Sequence, residues 1–248
     1  MKKNIVNSMV ALSSTLLIVA CGSSDSNNTS TSVLPSDVQG AIDAPTSTLS
    51  QDLLNTLSYM GNEERLAYDV YNRLYAEWAI SQFTNIATKS EVKHIGAVQQ
   101  LVQKYQLNDT VHFTNVDLPS LGYMTTPIES MQAGAYDIST IQRLYDDLVA
   151  QGSTSEVEAL KVGCTVEVVD VTDLDRDIAI AQNENATDIV TTFNFLRNGS
   201  YSHYWAFDEG LKNRGLSEGC CTWVELCHPE YPQEEKGNSG KGKGKNSK

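Results

Sequence analysis

Glu91 and His94 stand three residues apart, a spacing that sets a carboxylate and an imidazole on one face of a helix. Glu64, Glu167 and His203 each fall in phase with apolar residues in other stretches of helical period. A single carboxylate on such a stripe is most often a satisfied buried polar group. Three together are another matter, because burying Glu64, Glu91 and Glu167 unpaired is costly. Two imidazoles beside them repel a further proton and welcome a metal. Carboxylate and imidazole donors in combination suit iron or manganese.

The elements that must position these groups are read from the period. From about Leu49 to Ala79, Leu53, Leu57, Met60, Ala67, Tyr71, Leu74 and Trp78 form one helical face that includes Glu64. Glu63, one residue earlier, turns toward the neighbouring face and is expected nearer solvent. A second helix, about Thr84 to Tyr105, carries Ala87, Val98, Leu101 and Tyr105 in phase with Glu91 and His94. Residues 106–139 hold Asn, Asp, Pro and Gly without a sustained period, and read as a long crossing connection before a short helix at about Ser139 to Ala150. Ser153 with Glu156 gives a capping-box start to a third long helix, striped by Leu160, Cys164, Val171, Leu174, Ile178 and Ala181 and interrupted by Glu167. A fourth, about Ala186 to Asn213, turns Ile189, Phe193, Leu196, Phe207 and Leu211 inward with Ser200 and His203 between them. Four helices each bearing a polar group at the middle make an all-α bundle with a polar centre.

The ends have a different character. Met1-Lys2-Lys3 precedes a mostly apolar run from Met9 to Ala20, the order of a secretory signal and too short to span a bilayer. Leu17-Ile18-Val19-Ala20-Cys21 resembles the lipobox of bacterial lipoproteins, which implies cleavage after residue 20, lipidation of Cys21 and anchoring to a membrane. Gly22 at the next position resembles outer-membrane sorting. Residues 21–49 are rich in Ser, Thr, Asn, Asp and Gly and read as a flexible stalk. The bundle is expected over 50–213 and a cysteine-containing extension over 214–233. The basic tail, 234–248, is a solubilising segment or a contact for anionic envelope polymers.

The formal charge of -13 becomes -15 once Lys2 and Lys3 leave with the leader, which argues against nucleic-acid binding. With Cys21 committed to lipid, Cys164, Cys220, Cys221 and Cys227 remain, an even number in an oxidising compartment. They read as disulfides of open pairing or, with His228, as a soft-metal or redox cluster. His112 and His228 lie outside the stripes. Phosphate loops, Gly-x-Ser-x-Gly elbows and His-Glu-x-x-His helices are absent from the sequence.

The pattern resembles the ferritin-like di-iron and di-manganese proteins, which take one Glu from each of two helices and Glu-x-x-His from each of the other two. Glu64 resembles the first-helix ligand, Glu91-Val92-Lys93-His94 the second-helix motif, Glu167 the third-helix ligand and His203 the fourth-helix histidine. Tyr71 resembles the tyrosine that ferritins place near the metal. More narrowly, the run from Met60 to Tyr71, Asn85-Ile86-Ala87 with Ser90-Glu91 and His94, and Gly199-Ser200 with His203 are similar to the ferritin-like family called domain of unknown function 2202. One departure stands out: the fourth helix has Ser200 where a ferritin has Glu, and Asp170, one turn beyond Glu167, is the candidate replacement. The resemblance implies a dinuclear iron or manganese centre on Glu64, Glu91, His94, Glu167, Asp170 and His203, reacting with a small-molecule oxidant, with Tyr71 as electron donor or ligand partner. Sequestration of metal without turnover, and a structural bundle that binds envelope partners, are the alternatives.

Overall fold

The computed structural model describes residues 33–107 and 132–233. Cys21, His112, the expected leader and the basic tail lie outside the described residues. Within them the fold is helical, without strands.

The first long element, after a short helix α1 (Ser36–Asp43), is α2 (Gln51–Trp78). It starts where the Ser50 side chain accepts from the Leu53 N–H, with Asp52 in the first turn to complement the helix dipole. It stops at Ala79, which turns left-handed. Next come α3 (Ser81–Ile86), a π-helical turn (Ala87–Glu91) and α4 (Val92–Lys104), which run on as one rod. Then follow α5 (Ser139–Gly152), α6 (Glu156–Asn183) and α7 (Thr187–Lys212). Only residues 184–186 separate α6 from α7, with Asn185 left-handed, so the two fold back and pair along their length. No described helix is long and apolar enough to cross a membrane.

Three local features differ from the sequence reading. The cap of α6 is Ser155, whose Oγ accepts from the Glu158 N–H at 3.1 Å, while Ser153 donates to Glu77 instead. The stretch expected as stalk contains α1: Val38 and Ile42, four residues apart, bury one face together with Leu34. Polar composition averaged over that stretch hides these three residues. Finally, the second helix is not uniform, because a π turn carries Glu91.

The apolar core has two parts. One gathers Leu53, Leu57 and Met60 of α2 with Val98 and Leu101 of α4, Leu174 and Ile178 of α6 and Phe193 of α7. The other gathers Tyr71 and Leu74 of α2 with Phe83, Leu160 of α6 and Phe207 of α7. On α2, on the rod from α3 to α4 and on α7 the polar candidates sit in sequence between the residues of the two parts, so a polar layer divides the core. The C-terminal segment joins the second part through Cys220, Leu226 and Tyr231. The cysteines pair as Cys164–Cys220 and Cys221–Cys227, which resolves the open pairing in favour of disulfides.

Candidate metal centre

Each long element delivers its polar group to the same layer. Glu64 comes from the middle of α2, Glu91 from the end of the π turn, and His94 from the first turn of α4. Glu167 and Asp170 come from α6, and Ser200 and His203 from α7. Glu64, Glu91, His94, Glu167 and His203 are all buried, each 5% exposed or less.

Two triads result, and they share a residue. His94 Nδ1 lies 3.1 Å from Glu64 Oε2 and 3.1 Å from Glu91 Oε2. His203 Nδ1 lies 3.1 Å from Glu91 Oε1 and 3.4 Å from Glu167 Oε2. The ligand atoms of Glu64, Glu91 and His94 all lie within 4.8 Å of one another, as do those of Glu91, Glu167 and His203. Glu91 therefore turns one oxygen to each triad, the disposition of a bridging carboxylate, and the two imidazole rings stack with centroids 5.5 Å apart.

The electrostatics follow from this sharing. Burial first, with Glu91 adding repulsion, raises Glu64 to about 7, against the pull of His94. Burial likewise raises Glu167 to about 7, against the pull of His203. Glu91 faces burial too, but the attraction of His203 and His94 together holds it well below the ordinary carboxylate range. Each outer carboxylate has one imidazole while Glu91 has two. Burial opposes charge on His203, yet Glu167 and Glu91 lift it to about 10, and Glu64 and Glu91 lift His94 in the same way. Asp170 is raised by burial and by Glu64.

The residues present fit a pair of divalent cations. Glu64, Glu91, Glu167 and Asp170 can carry four negative charges, which two such ions balance. Glu64 Oε1 is enclosed and has no hydrogen-bond partner, a costly arrangement that a ligated ion relieves. Nitrogen and oxygen donors of this kind suit iron or manganese rather than a soft metal.

Around the centre, three supports recur. Tyr71, fully buried, donates its hydroxyl to Glu167 Oε1. Burial and then the charges of Glu167 and Glu91 keep this phenol well above its ordinary pKa. Ser200 of α7 donates to Asp170 Oδ2 of the facing α6. Gly199 gives His94 its room: a Cβ there would lie 2.4 Å from His94 Nε2.

Glu63 is nearer solvent than Glu64, as the period implied. Part of the residue is accessible, but its Oε2 is enclosed and without a hydrogen-bond partner. Burial, then Asp173 and Asp170, push its carboxyl well above the usual range. The helical period placed it one face away from Glu64, but the packing of α6 covers that face as well. The π turn escaped sequence reasoning, and Gly199 was read there only as part of the family motif, not as the residue that makes room for His94. His228 lies away from the layer, with Nδ1 2.8 Å from Glu230 Oε1.

A cleft between α2, α5 and α6 reaches the layer. It is walled by Leu66, Leu144, Leu148, Val166 and Val169 and ends on the carboxylates. Its free space is about 30 Å³, which holds roughly two molecules the size of water.

Fold and site together define a helical protein built around a buried carboxylate and imidazole layer. The chain belongs to the family described as uncharacterized protein domain (DUF2202), whose model matches residues 54–121 and 112–225, spans that contain every residue of the layer. It is similar to "Uncharacterized protein MJ0754" of Methanocaldococcus jannaschii, with 36% identity over 171 residues, 69% of this chain and 81% of that protein. Among solved structures it resembles the crystal structure of hypothetical protein MJ0754 from Methanococcus jannaschii DSM 2661. That likeness has a TM-score of 0.59 at 35% identity and covers 69% of this chain and 86% of the other.

Proposed function

We propose that this chain is a ferritin-like four-helix protein, held at the cell envelope by lipid on Cys21, whose polar layer binds two iron or manganese ions and uses them to reduce a small oxidant, dioxygen or peroxide. The observation that carries the reading is Glu91, with one oxygen on the His94 triad and the other on the His203 triad. Glu64 and His94 would hold one ion and Glu167 and His203 the other, with Glu91 between them and Asp170 in place of the missing fourth-helix carboxylate. The bound metal would supply the electrons that the oxidant takes up.

The chain's own residues set the conditions for that exchange. Tyr71 fixes Glu167 by its hydroxyl and so holds a phenol against the layer for one-electron chemistry. Its ring lies 5.2 Å from Phe207 and 5.8 Å from Phe83, centroid to centroid, which excludes water around it. Ser200 orients Asp170 while taking up less room than a carboxylate side chain. The cleft suits an oxidant of two or three atoms and is too small for an organic substrate.

Elemental analysis of the purified chain, with oxidant consumption followed on adding Fe(II), tests this reading. About two metal ions per chain with consumption lost in Glu91→Ala and His94→Ala are expected. Full activity in both variants would sink it. Metal retained without oxidant consumption would instead make the layer a sequestration site.

A further inference from the structure

The two disulfides meet at neighbouring residues, Cys220 and Cys221, and stand in opposite surroundings. Cys164 and Cys220 are both fully buried in the apolar core, and their bond spans 56 residues of sequence. Cys221 and Cys227 are each partly exposed, and only six positions of sequence separate them. A long closed loop constrains the unfolded chain far more than a short one, so stability rests on the buried bond. An attacking thiolate must reach a sulfur, which burial denies it at Cys164–Cys220 and exposure allows at Cys221–Cys227.

The outer pair has a second property: its backbone is held independently of the bond. Gly219–Thr222 and Val224–Leu226 form 3-10 turns on either side of Trp223. Ahead of the loop, the Cys220 N–H donates to Asp208 Oδ1 at 2.9 Å. Behind it, Tyr204 donates its hydroxyl to the Leu226 carbonyl at 2.8 Å and accepts from the His228 N–H at 3.1 Å. Within it, the Trp223 N–H donates to the Cys220 carbonyl at 3.2 Å and the Leu226 N–H to the Trp223 carbonyl at 3.0 Å. Leu226 is buried, and Lys161 of α6 sits over the Trp223 ring, 4.6 Å from its centroid. Opening the bond therefore leaves two thiols side by side, placed to close again. The crest of the loop faces solvent, with Val224 89% exposed.

We propose that Cys221–Cys227 is a reversible dithiol–disulfide exchange site, which takes two electrons from a thiol donor while Cys164–Cys220 stays closed. A thiolate of the donor attacks one sulfur of the bond, forming a mixed disulfide and releasing the other cysteine, which takes up a proton. A second donor thiolate then attacks the donor's sulfur in the mixed disulfide. The donor leaves as a disulfide, two electrons poorer, and the second cysteine takes up a proton. This exchange is independent of the dinuclear reading above.

The purified full chain, equilibrated in dithiothreitol buffers of rising reduced-to-oxidised ratio, tests the proposal when free thiols are alkylated with iodoacetamide and located by peptide mass. Cys221 and Cys227 are expected to be alkylated together at a ratio about tenfold or more below the one that opens Cys164–Cys220. With only the outer pair open, far-UV circular dichroism should be unchanged, and removing the reductant should restore the Cys221–Cys227 bond. Cys221→Ser/Cys227→Ser should fold and keep Cys164–Cys220 closed over the same range. Glutathione buffers identify the donor: opening by glutathione assigns free monothiols, and opening by dithiothreitol alone assigns a dithiol. Both bonds opening over one range, the buried bond opening first, unfolding once Cys221–Cys227 is open, or reoxidation to other pairings overturns the proposal.

Discussion

At the scale of single residues, the closest fit in the layer is a missing side chain. His94 is held on one side by Glu64 and Glu91, each 3.1 Å from Nδ1, and on the other by the bare backbone at Gly199. A methyl group at Gly199 would meet the ring at 2.4 Å, closer than any packed contact, and the ring would have to leave both carboxylates. Gly199→Ala is therefore expected to weaken Mn(II) binding by about ten- to a hundredfold, the range seen when a supporting group around a metal is lost. Calorimetric titration checks this, and unchanged affinity would remove His94 from the ligand set. Protonation makes a second prediction. Glu64 and Glu167, raised to about 7 by burial, and His203, raised to about 10 by its carboxylates against burial, must all give up protons to bind metal. Metal affinity should rise with pH through 7 and keep rising toward 10, with protons released on loading. An indicator dye in weak buffer measures the release, and an affinity flat from pH 6 to 9 contradicts it.

At the scale of elements, caps and turns decide where a stripe begins. Both Ser153 and Ser155 precede acidic residues, but only Ser155 accepts from an N–H of α6. Ser155→Ala should cost about 1 kcal/mol in denaturant unfolding, while Ser153→Ala should cost roughly half that or less. The reverse ranking would mean the helix starts elsewhere. The π turn at Ala87–Glu91 widens the rod where Glu91 enters the layer, a position at which such turns often mark function. It has no period of its own, so the sequence reads through it as ordinary helix. The helix α1 teaches the opposite lesson, because three apolar residues sufficed to dock it onto the core.

At the scale of the molecule, the core is divided by a layer of buried carboxylates and imidazoles, to which a bound cation would add stability. Adding Mn(II) at about a hundred times its dissociation constant should stabilise the folded chain by about 2.7 kcal/mol, and a chelator should reverse it. A melting temperature indifferent to both would favour a purely structural layer. The Cys164–Cys220 disulfide joins α6, one turn before Glu167, to the segment after α7 across 56 residues of sequence. By chain entropy its removal should cost about 4 kcal/mol. Cys164→Ala/Cys220→Ala compared with wild type in denaturant unfolding tests this, and a loss under about 1 kcal/mol would show that packing alone holds the C-terminal segment.

The sequence by itself determined the helical class, the approximate span of each long helix, membership of the family through the Met60–Tyr71 and Gly199–His203 motifs, and which polar residues fall on apolar stripes. These are legible because a helix repeats every 3.6 residues and its buried face must be apolar, so any exception is conspicuous. Only the tertiary structure decided that Glu91 is shared between two imidazoles, that Ser200 donates to Asp170, that the Oε2 of Glu63 is enclosed and which cysteines pair. Each of these depends on the distance between side chains of different helices, and a one-dimensional period says which face a residue occupies but not what stands opposite it.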